Sequence, residues 1–243
     1  GEFLRAHSQD FKNLRALDLH ENKVVTNEVL SCLPRLEWLN LCNNSLITDE
    51  GLSTLPRLRT LSLSKNRLIS NRGLSNLTDL QELYLTGNKL KYEKFITGEG
   101  LSKLPRLSKL LLGGNERITN EELPALTGLT ALNLSENDLI TSLSKLQRLR
   151  KLSIQLWSRI TDAELSQLTD LTALDLGFNE QITNEGLSPL TGLTALNLSC
   201  LNHGNNSLIT DEGLSNLTRL RKLNLPRNPL LITDKTLSRL PKY

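Results

Sequence analysis

Three side chains near the start of the chain have the types needed for a nucleophilic site: Asp18, His20 and Cys42. A thiol becomes a nucleophile when a histidine takes its proton and a carboxylate orients that histidine. Asp18 and His20 are two residues apart, so on a strand they share one face. Acyl chemistry also needs an oxyanion stabiliser and exclusion of water. Neither a Gly-x-Ser-x-Gly elbow nor a phosphate-cradling glycine loop accompanies the three residues. With Glu21 they make only an incomplete metal set, because no second Cys or His cluster closes a tetrahedron. His203, close to Cys200, has the same gap. The expectation is a chain that is not an enzyme, with no cofactor, no metal and no small-molecule substrate.

His20 and Cys42 are separated by 22 residues, and that interval governs the whole sequence. Leucine supplies 60 of 243 residues, against nine aromatics and no Met. The unit Leu-x-x-Leu-x-Leu opens at Leu14, Leu36, Leu58, Leu80, Leu107, Leu129, Leu149, Leu171, Leu193 and Leu220. Residues 36–57 show one complete unit. Leu39-Asn40-Leu41 alternates as a short strand with one buried face. Asn44 follows at the turn, where its amide can satisfy backbone groups left unpaired inside. Asn22, Asn66, Asn88, Asn115, Asn137, Asn179 and Asn228 hold the same place, and Trp157 replaces it once. Ile47 returns to the core, and Thr48 is placed to cap a short helix with Asp49 and Glu50 in its first turn. Thr119 with Glu122, and Thr161 with Glu164, have capping-box spacing. One unit cannot bury its own leucine face, so neighbours must stack.

These motifs resemble the leucine-rich-repeat family over nearly all of residues 14–240. The short 22-residue subclass fits the spacing, and Ile-Thr-Asp-x-Gly-Leu is similar to units of ubiquitin-ligase substrate receptors. The short sixth unit, Leu129 to Arg148, is similar to units of bacterial internalins. The resemblance implies an α/β fold: a right-handed solenoid, or horseshoe, with a parallel inner sheet and short outer helices or 3-10 turns. Residues 1–13 read as a cloning scar (Gly1-Glu2-Phe3) and a capping segment carrying Leu4 and Phe11. Residues 14–243 read as one repeat domain of ten units. The lack of Met points to a piece of something larger.

Such a fold is expected to be a protein-binding scaffold, with the partner on the concave sheet and the ascending loops. Strand alternation sends the third, fifth, seventh and eighth residues of each unit outward. Those positions carry Trp38, Tyr84, Lys109, Lys151 and Phe178, and exposed aromatics beside charges are typical of protein hot spots. Two five-residue insertions, at 91–95 and around 200–204, lengthen the loops; the first adds Tyr92 and Phe95. Asp18, Glu21 and Glu37 begin the surface, while Lys222 and Arg227 end it. The other readings are a microbial or parasite surface or secreted factor that engages a host protein, and the recognition module of a larger enzyme such as a ubiquitin ligase.

A net charge of +3 with 23% charged residues lacks the basic excess of a nucleic-acid binder. Arg57, Arg59, Lys65, Arg67 and Arg72 read as a solvated flank. No apolar run reaches the ~20 residues of a membrane span. Cys32, Cys42 and Cys200 are too scattered for a disulfide framework, which favours a cytoplasmic protein over a secreted one. Asn43, Asn76, Asn133, Asn197, Asn205 and Asn216 open Asn-x-Ser/Thr sequons, and a glycan at Asn133 or Asn197 would cover the expected binding face.

Overall fold

Each Leu-x-Leu core becomes a strand of three residues, since its two leucines point one way and the residues around them the other. The computed structural model describes residues 11–87, 96–115, 118–121, 123–156, 158–199 and 208–225, with 232, 233, 236 and 238. The chain divides into two units, residues 1–128 and 129–243. In the first, β1 (Ala16–Asp18), β2 (Trp38–Asn40), β3 (Thr60–Ser62), β4 (Glu82–Tyr84) and β5 (Lys109–Leu111) pair in parallel in chain order. The outer side carries α1 (Asn27–Ser31), α2 (Asp49–Leu52), α3 (Asn71–Leu74), α4 (Gly98–Leu101) and a 3-10 turn, Leu123–Ala125. The second unit pairs β6 (Ala131–Asn133), β7 (Lys151–Ser153), β8 (Ala173–Asp175), β9 (Ala195–Asn197) and β10 (Lys222–Asn224), again in parallel and in order. Its helices are α5 (Asp162–Leu165), α6 (Asn184–Leu187) and α7 (Asp211–Leu214). Each unit is thus a stacked α/β solenoid. Among the described residues no helix is long and apolar enough to cross a membrane.

Within one repeat, Leu36, Leu39, Leu41, Ile47, Leu52 and Leu55 are fully buried. Truncating such a residue to Ala costs about 2–5 kcal/mol. The turn asparagines are buried among them: Asn44, Asn66, Asn115, Asn137 and Asn179. Asn44 Oδ1 accepts from the N–H groups of Leu46 (3.0 Å) and Ile47 (2.9 Å), while Nδ2 donates to the carbonyls of Leu19 and Asn22 in the preceding repeat. Asn66 repeats the pattern onto Leu41 and Asn44. The expected internal ladder is therefore present. Position 157 lies outside the described residues, but its neighbour Ser158 is buried and accepts from the Ile160 N–H at 3.4 Å.

A second ladder runs along the helices, and here the expectation of simple capping needs correction. Thr48, Thr97 and Thr161 make no side-chain cap; Ser70, Thr183 and Thr210 do. The cap residue is instead gripped by the repeat before it. Asp49 accepts from Ser70 N–H (2.8 Å) and Oγ (2.7 Å), and Asp162 from Thr183 N–H (2.9 Å) and Oγ1 (2.6 Å). Asn27, Asn71 and Asn184 hold Thr48, Thr97 and Thr210 with Oδ1 accepting from the N–H and Nδ2 donating to Oγ1. The gripping side chain lies over the next repeat's glycine: a Cβ on Gly73 would meet Asp49 Oδ1 at 2.5 Å and Ile69 Cγ2 at 2.9 Å. That contact explains the glycine of Ile-Thr-Asp-x-Gly-Leu. Nor does the Thr161–Glu164 pair close a capping box. Ser142 stands at the gripping position of the short sixth repeat, and Glu164 stands where other repeats have glycine. The Glu164 carboxylate reaches back to the Leu143 N–H (2.7 Å) and Ser142 Oγ (3.1 Å). Glu122 lies outside the described residues.

Beyond the strand, the eighth residue of each described repeat turns left-handed. Glu21, Asn43, Lys65, Glu136, Leu156 and Phe178 have φ of 51° to 58°, and Gly87 and Gly114 share the conformation. The N–H groups of Glu21, Asn43, Lys65, Gly87, Glu136, Leu156 and Phe178 donate to the next repeat, as from Glu21 to Cys42 O (3.0 Å) and from Glu136 to Gln155 O (3.1 Å).

In urea unfolding, Gly73→Ala should cost about 1–3 kcal/mol because Asp49 and Ile69 must move. Combining it with Asp49→Ala should cost less than the two single changes added, since the pair is in contact. Glu136→Gly, by removing a left-handed side-chain penalty, should gain about 0.5 kcal/mol.

Candidate functional site

The outward positions of the sheet decide what a partner could touch. In the first unit the third column runs Ala16, Trp38, Thr60, Glu82 and Lys109 in register. Trp38 stands between two small residues, which leaves its indole 37% exposed. Two strands away, Glu82, Tyr84 and Lys109 form a closed network. The Tyr84 hydroxyl donates to Glu82 Oε2 at 2.7 Å, and the Lys109 ammonium donates to Glu82 Oε2 at 2.9 Å and to the Tyr84 hydroxyl at 2.7 Å. Lys109 Nζ also lies 4.9 Å from the Tyr84 ring centroid, within cation–π range. Burial pushes the Glu82 carboxyl up, but the hydrogen bonds from Tyr84 and Lys109 outweigh it and hold its pKa below the ordinary value. The hydrogen bonds to Tyr84 and Glu82 hold the Lys109 pKa above its ordinary value against burial. In the second unit Lys151 is exposed between Ala131 and Ala173, the counterpart of Trp38 in its setting.

The fifth column does structural work as well. Asp18, Asn40, Asn133, Asp175 and Asn197 each accept from the N–H two residues on, at 2.8 to 3.1 Å, and so shape the exit from the strand. Asp175 additionally takes the amides of Gln155 (2.5 Å) and Asn197 (2.8 Å). The residues that suggested a thiol nucleophile are not brought into a relay. Asp18 accepts from the His20 backbone, and the His20 ring lies 3.8 Å from Glu21. Burial raises the Cys42 thiol pKa, with Lys65 opposing and Glu21 and Asp18 adding to the rise. An activated cysteine requires the reverse. Among the described residues no group of three His, Cys, Asp or Glu side chains is arranged to hold a metal.

Phe178 is exposed, as its outward position leads one to expect, but it reaches the surface by a turn. As the eighth residue it would follow the sixth into the core if the strand continued; the left-handed turn carries it instead to the loop edge, 37% exposed. Beside it lies a cleft of about 200 Å³ lined by Leu156, Ser158, Phe178, Asn179, Glu180 and Gln181. Leu156 carries no signal of its own in the sequence. Gly87 and Gly114 in the same column were the available clue that this position turns left-handed. Arg57, Arg59, Lys65, Arg67 and Arg72 are all exposed, but they occupy different sides of their repeats: Arg59 precedes β3, Lys65 sits at the loop edge and Arg72 lies in α3. They form no stripe. Glu37 is paired with Arg15 at 2.6 Å. Tyr92, Phe95, Trp157, Cys200, His203, Arg227 and both insertions lie outside the described residues.

The sequence matches a family model described as leucine-rich repeats, in two copies, over residues 56–97, and another described as a leucine-rich repeat over residues 167–190. No curated relative matches it. Among solved structures, internalin C2 of Listeria monocytogenes aligns at 29% identity with a TM-score of 0.59, covering 83% of this chain and 84% of that one. A leucine-rich-repeat protein of Leptospira interrogans aligns at 26% identity with a TM-score of 0.66, covering 96% of this chain and 66% of that one. A second Listeria monocytogenes internalin, inlF, aligns at 24% identity with a TM-score of 0.53, covering 99% and 92%, and shows the fold alone.

The network fixes the sign of two pH effects. A carboxyl lowered by folding stabilises above its unfolded value, about pH 4.3, and that contribution drains as pH falls through the folded value. Glu82→Gln should therefore flatten the acid limb of a stability–pH profile. Lys109, raised by folding, contributes below its unfolded value of about 10.4 and loses the contribution as pH rises further. Lys109→Gln should flatten the alkaline limb and, by removing one of the two donors to Glu82, make the acid limb shallower without abolishing it. The Cys42 thiol should react with iodoacetamide at pH 8 more slowly than free glutathione.

Proposed function

We propose that this chain, a leucine-rich-repeat protein, is a non-catalytic scaffold that holds a partner protein on the exposed face of its inner sheet and on the adjoining loops. The observation that carries the reading is Trp38. Among the described residues the buried hydrophobic core is leucine and isoleucine with two valines, so an indole is not needed for packing. Yet one stands on the sheet between Ala16 and Thr60, where its burial awaits another surface. Tyr84 and Lys109 support the reading as a preorganised pair, held in one geometry by Glu82 before any partner arrives; such fixing lowers the ordering cost of binding. Lys151 adds an exposed cation on the second unit, and Phe178 an exposed ring at its loop edge. Tyr92 and Phe95, from the first insertion, are proposed as further partner contacts on the strength of the sequence. Scattered cations and a small net charge support a protein partner over a nucleic acid.

Cysteine usage supports a cytoplasmic location. A second reading, a microbial surface or secreted factor that engages a host protein, is supported by the internalin-like sixth repeat together with the likenesses to bacterial proteins. Recognition module of a larger enzyme is the third.

Immobilised chain should retain a protein partner from cell extract, identifiable by mass spectrometry and then measured purified. Trp38→Ala should weaken that purified partner at least about tenfold, as expected of a central aromatic anchor. Its thermal midpoint should fall by no more than a few degrees, since the partly exposed ring lies on the sheet surface and not in the leucine core. Undiminished affinity rejects the sheet face as the binding surface.

A further inference from the structure

Leu156 and Phe178 hold the eighth position of adjacent repeats at φ 51° and 58°. The other described repeats place Glu21, Asn43, Lys65, Gly87, Gly114 and Glu136 there. A bulky apolar side chain in the left-handed region carries a backbone strain that glycine would not. The strain secures nothing in the core, because Phe178 is exposed and Leu156 half-exposed. What the two side chains do is wall the cleft of about 200 Å³. Its floor is already spent on internal bonds. Asn179 Oδ1 accepts from Gln181 and Ile182, Asn179 Nδ2 donates to the Ile154 carbonyl, and Ser158 Oγ accepts from Ile160. Away from Glu180 and Gln181 a polar guest would find few partners; an aliphatic side chain would meet the apolar walls of Leu156 and Phe178 and fit the volume.

The rim is acidic. Glu180 lines the cleft, and Glu136 is joined through its N–H to the carbonyl of Gln155, the residue before Leu156. Asp138 follows two residues after Glu136. All three carboxylates are exposed and, among the described residues, none makes an ion pair; Arg159, beside Ser158 in the chain, is exposed as well. We propose that this cleft receives an aliphatic side chain carried on an extended basic segment of a partner protein. The inference rests on the reading of the chain as a protein binder and names the chemistry that binder recognises at Phe178.

The probe is the tripeptide acetyl-Arg-Leu-Arg-amide, titrated into the 15N-labelled full chain. The amides of Leu156, Ser158, Phe178 and Gln181 should shift and saturate with a Kd of about 1 mM, as one small subsite allows. Acetyl-Arg-Ser-Arg-amide and acetyl-Glu-Leu-Glu-amide should bind at least about tenfold more weakly, the first for want of the apolar side chain and the second for want of charge. Phe178→Gly relieves backbone strain, so its thermal midpoint should not fall, yet it should lose the shifts. Trp38→Ala should keep them, which separates this site from the sheet face: loss of sheet-face binding in that variant tests the scaffold reading, while the peptide tests the cleft. Equal binding of the leucine and serine peptides, shifts spread away from the cleft, or binding retained by Phe178→Gly overturns the proposal.

Discussion

A repeat of 22 residues that turns twice leaves backbone N–H and C=O groups facing a leucine core, and no water reaches them. Everything else in the fold depends on satisfying those groups, because each one left alone would cost about 1–3 kcal/mol. Asparagine suits the task at the inner turn, since its amide donates and accepts at once. Asn44 closes its own turn with Oδ1 and reaches the previous repeat with Nδ2. Local turn and stacking therefore come from the same side chain, so a repeat is complete only when its neighbour is present. This is the physical content of a solenoid whose stability resides in nearest-neighbour interfaces.

The helical side solves the same problem with a different pair. An Asp or Asn in one repeat grips the Thr or Ser of the next, and the following glycine clears the space that the gripping group fills. The exceptions keep the logic. Where the gripping position holds Ser142, the next repeat has exchanged its glycine for Glu164, and the carboxylate is supplied from the other side of the interface. In the sequence Gly98 and Glu122 are substituted in the same sense. A short repeat without a helix is thus accommodated by moving one carboxylate to its neighbour.

With the core and both ladders made from Leu, Ile, Asn, Asp, Thr and Gly, the sheet face is free to vary. That freedom is what makes Trp38 and Tyr84 informative. It also limits what can be read from polar residues on that face, because Asp18, Asn40, Asn133, Asp175 and Asn197 are already engaged in holding the strand exits. A carboxylate so engaged orients no histidine, so the spacing that placed Asp18, His20 and Cys42 together on one face did not join them into a relay.

The sequence by itself determined the repeat, the parallel strands and the Asn ladder, since each follows from a period and from the side-chain chemistry of a buried turn. It also put Trp38, Tyr84, Lys109 and Lys151 on the outward face, because alternation along a strand is a local rule. Only tertiary structure decided what crosses between repeats. Asp49, Asp162 and Glu164 read as ordinary first-turn acids when viewed in one helix; their partners lie about 21 residues away in another repeat. The Glu82–Tyr84–Lys109 network joins two strands across an insertion for the same reason. At the loop edge alternation stops: the eighth residue faces outward as expected, but through a left-handed turn that reverses the direction a continuing strand would give. It is the turn, and not the strand pattern, that brings Phe178 beside Leu156.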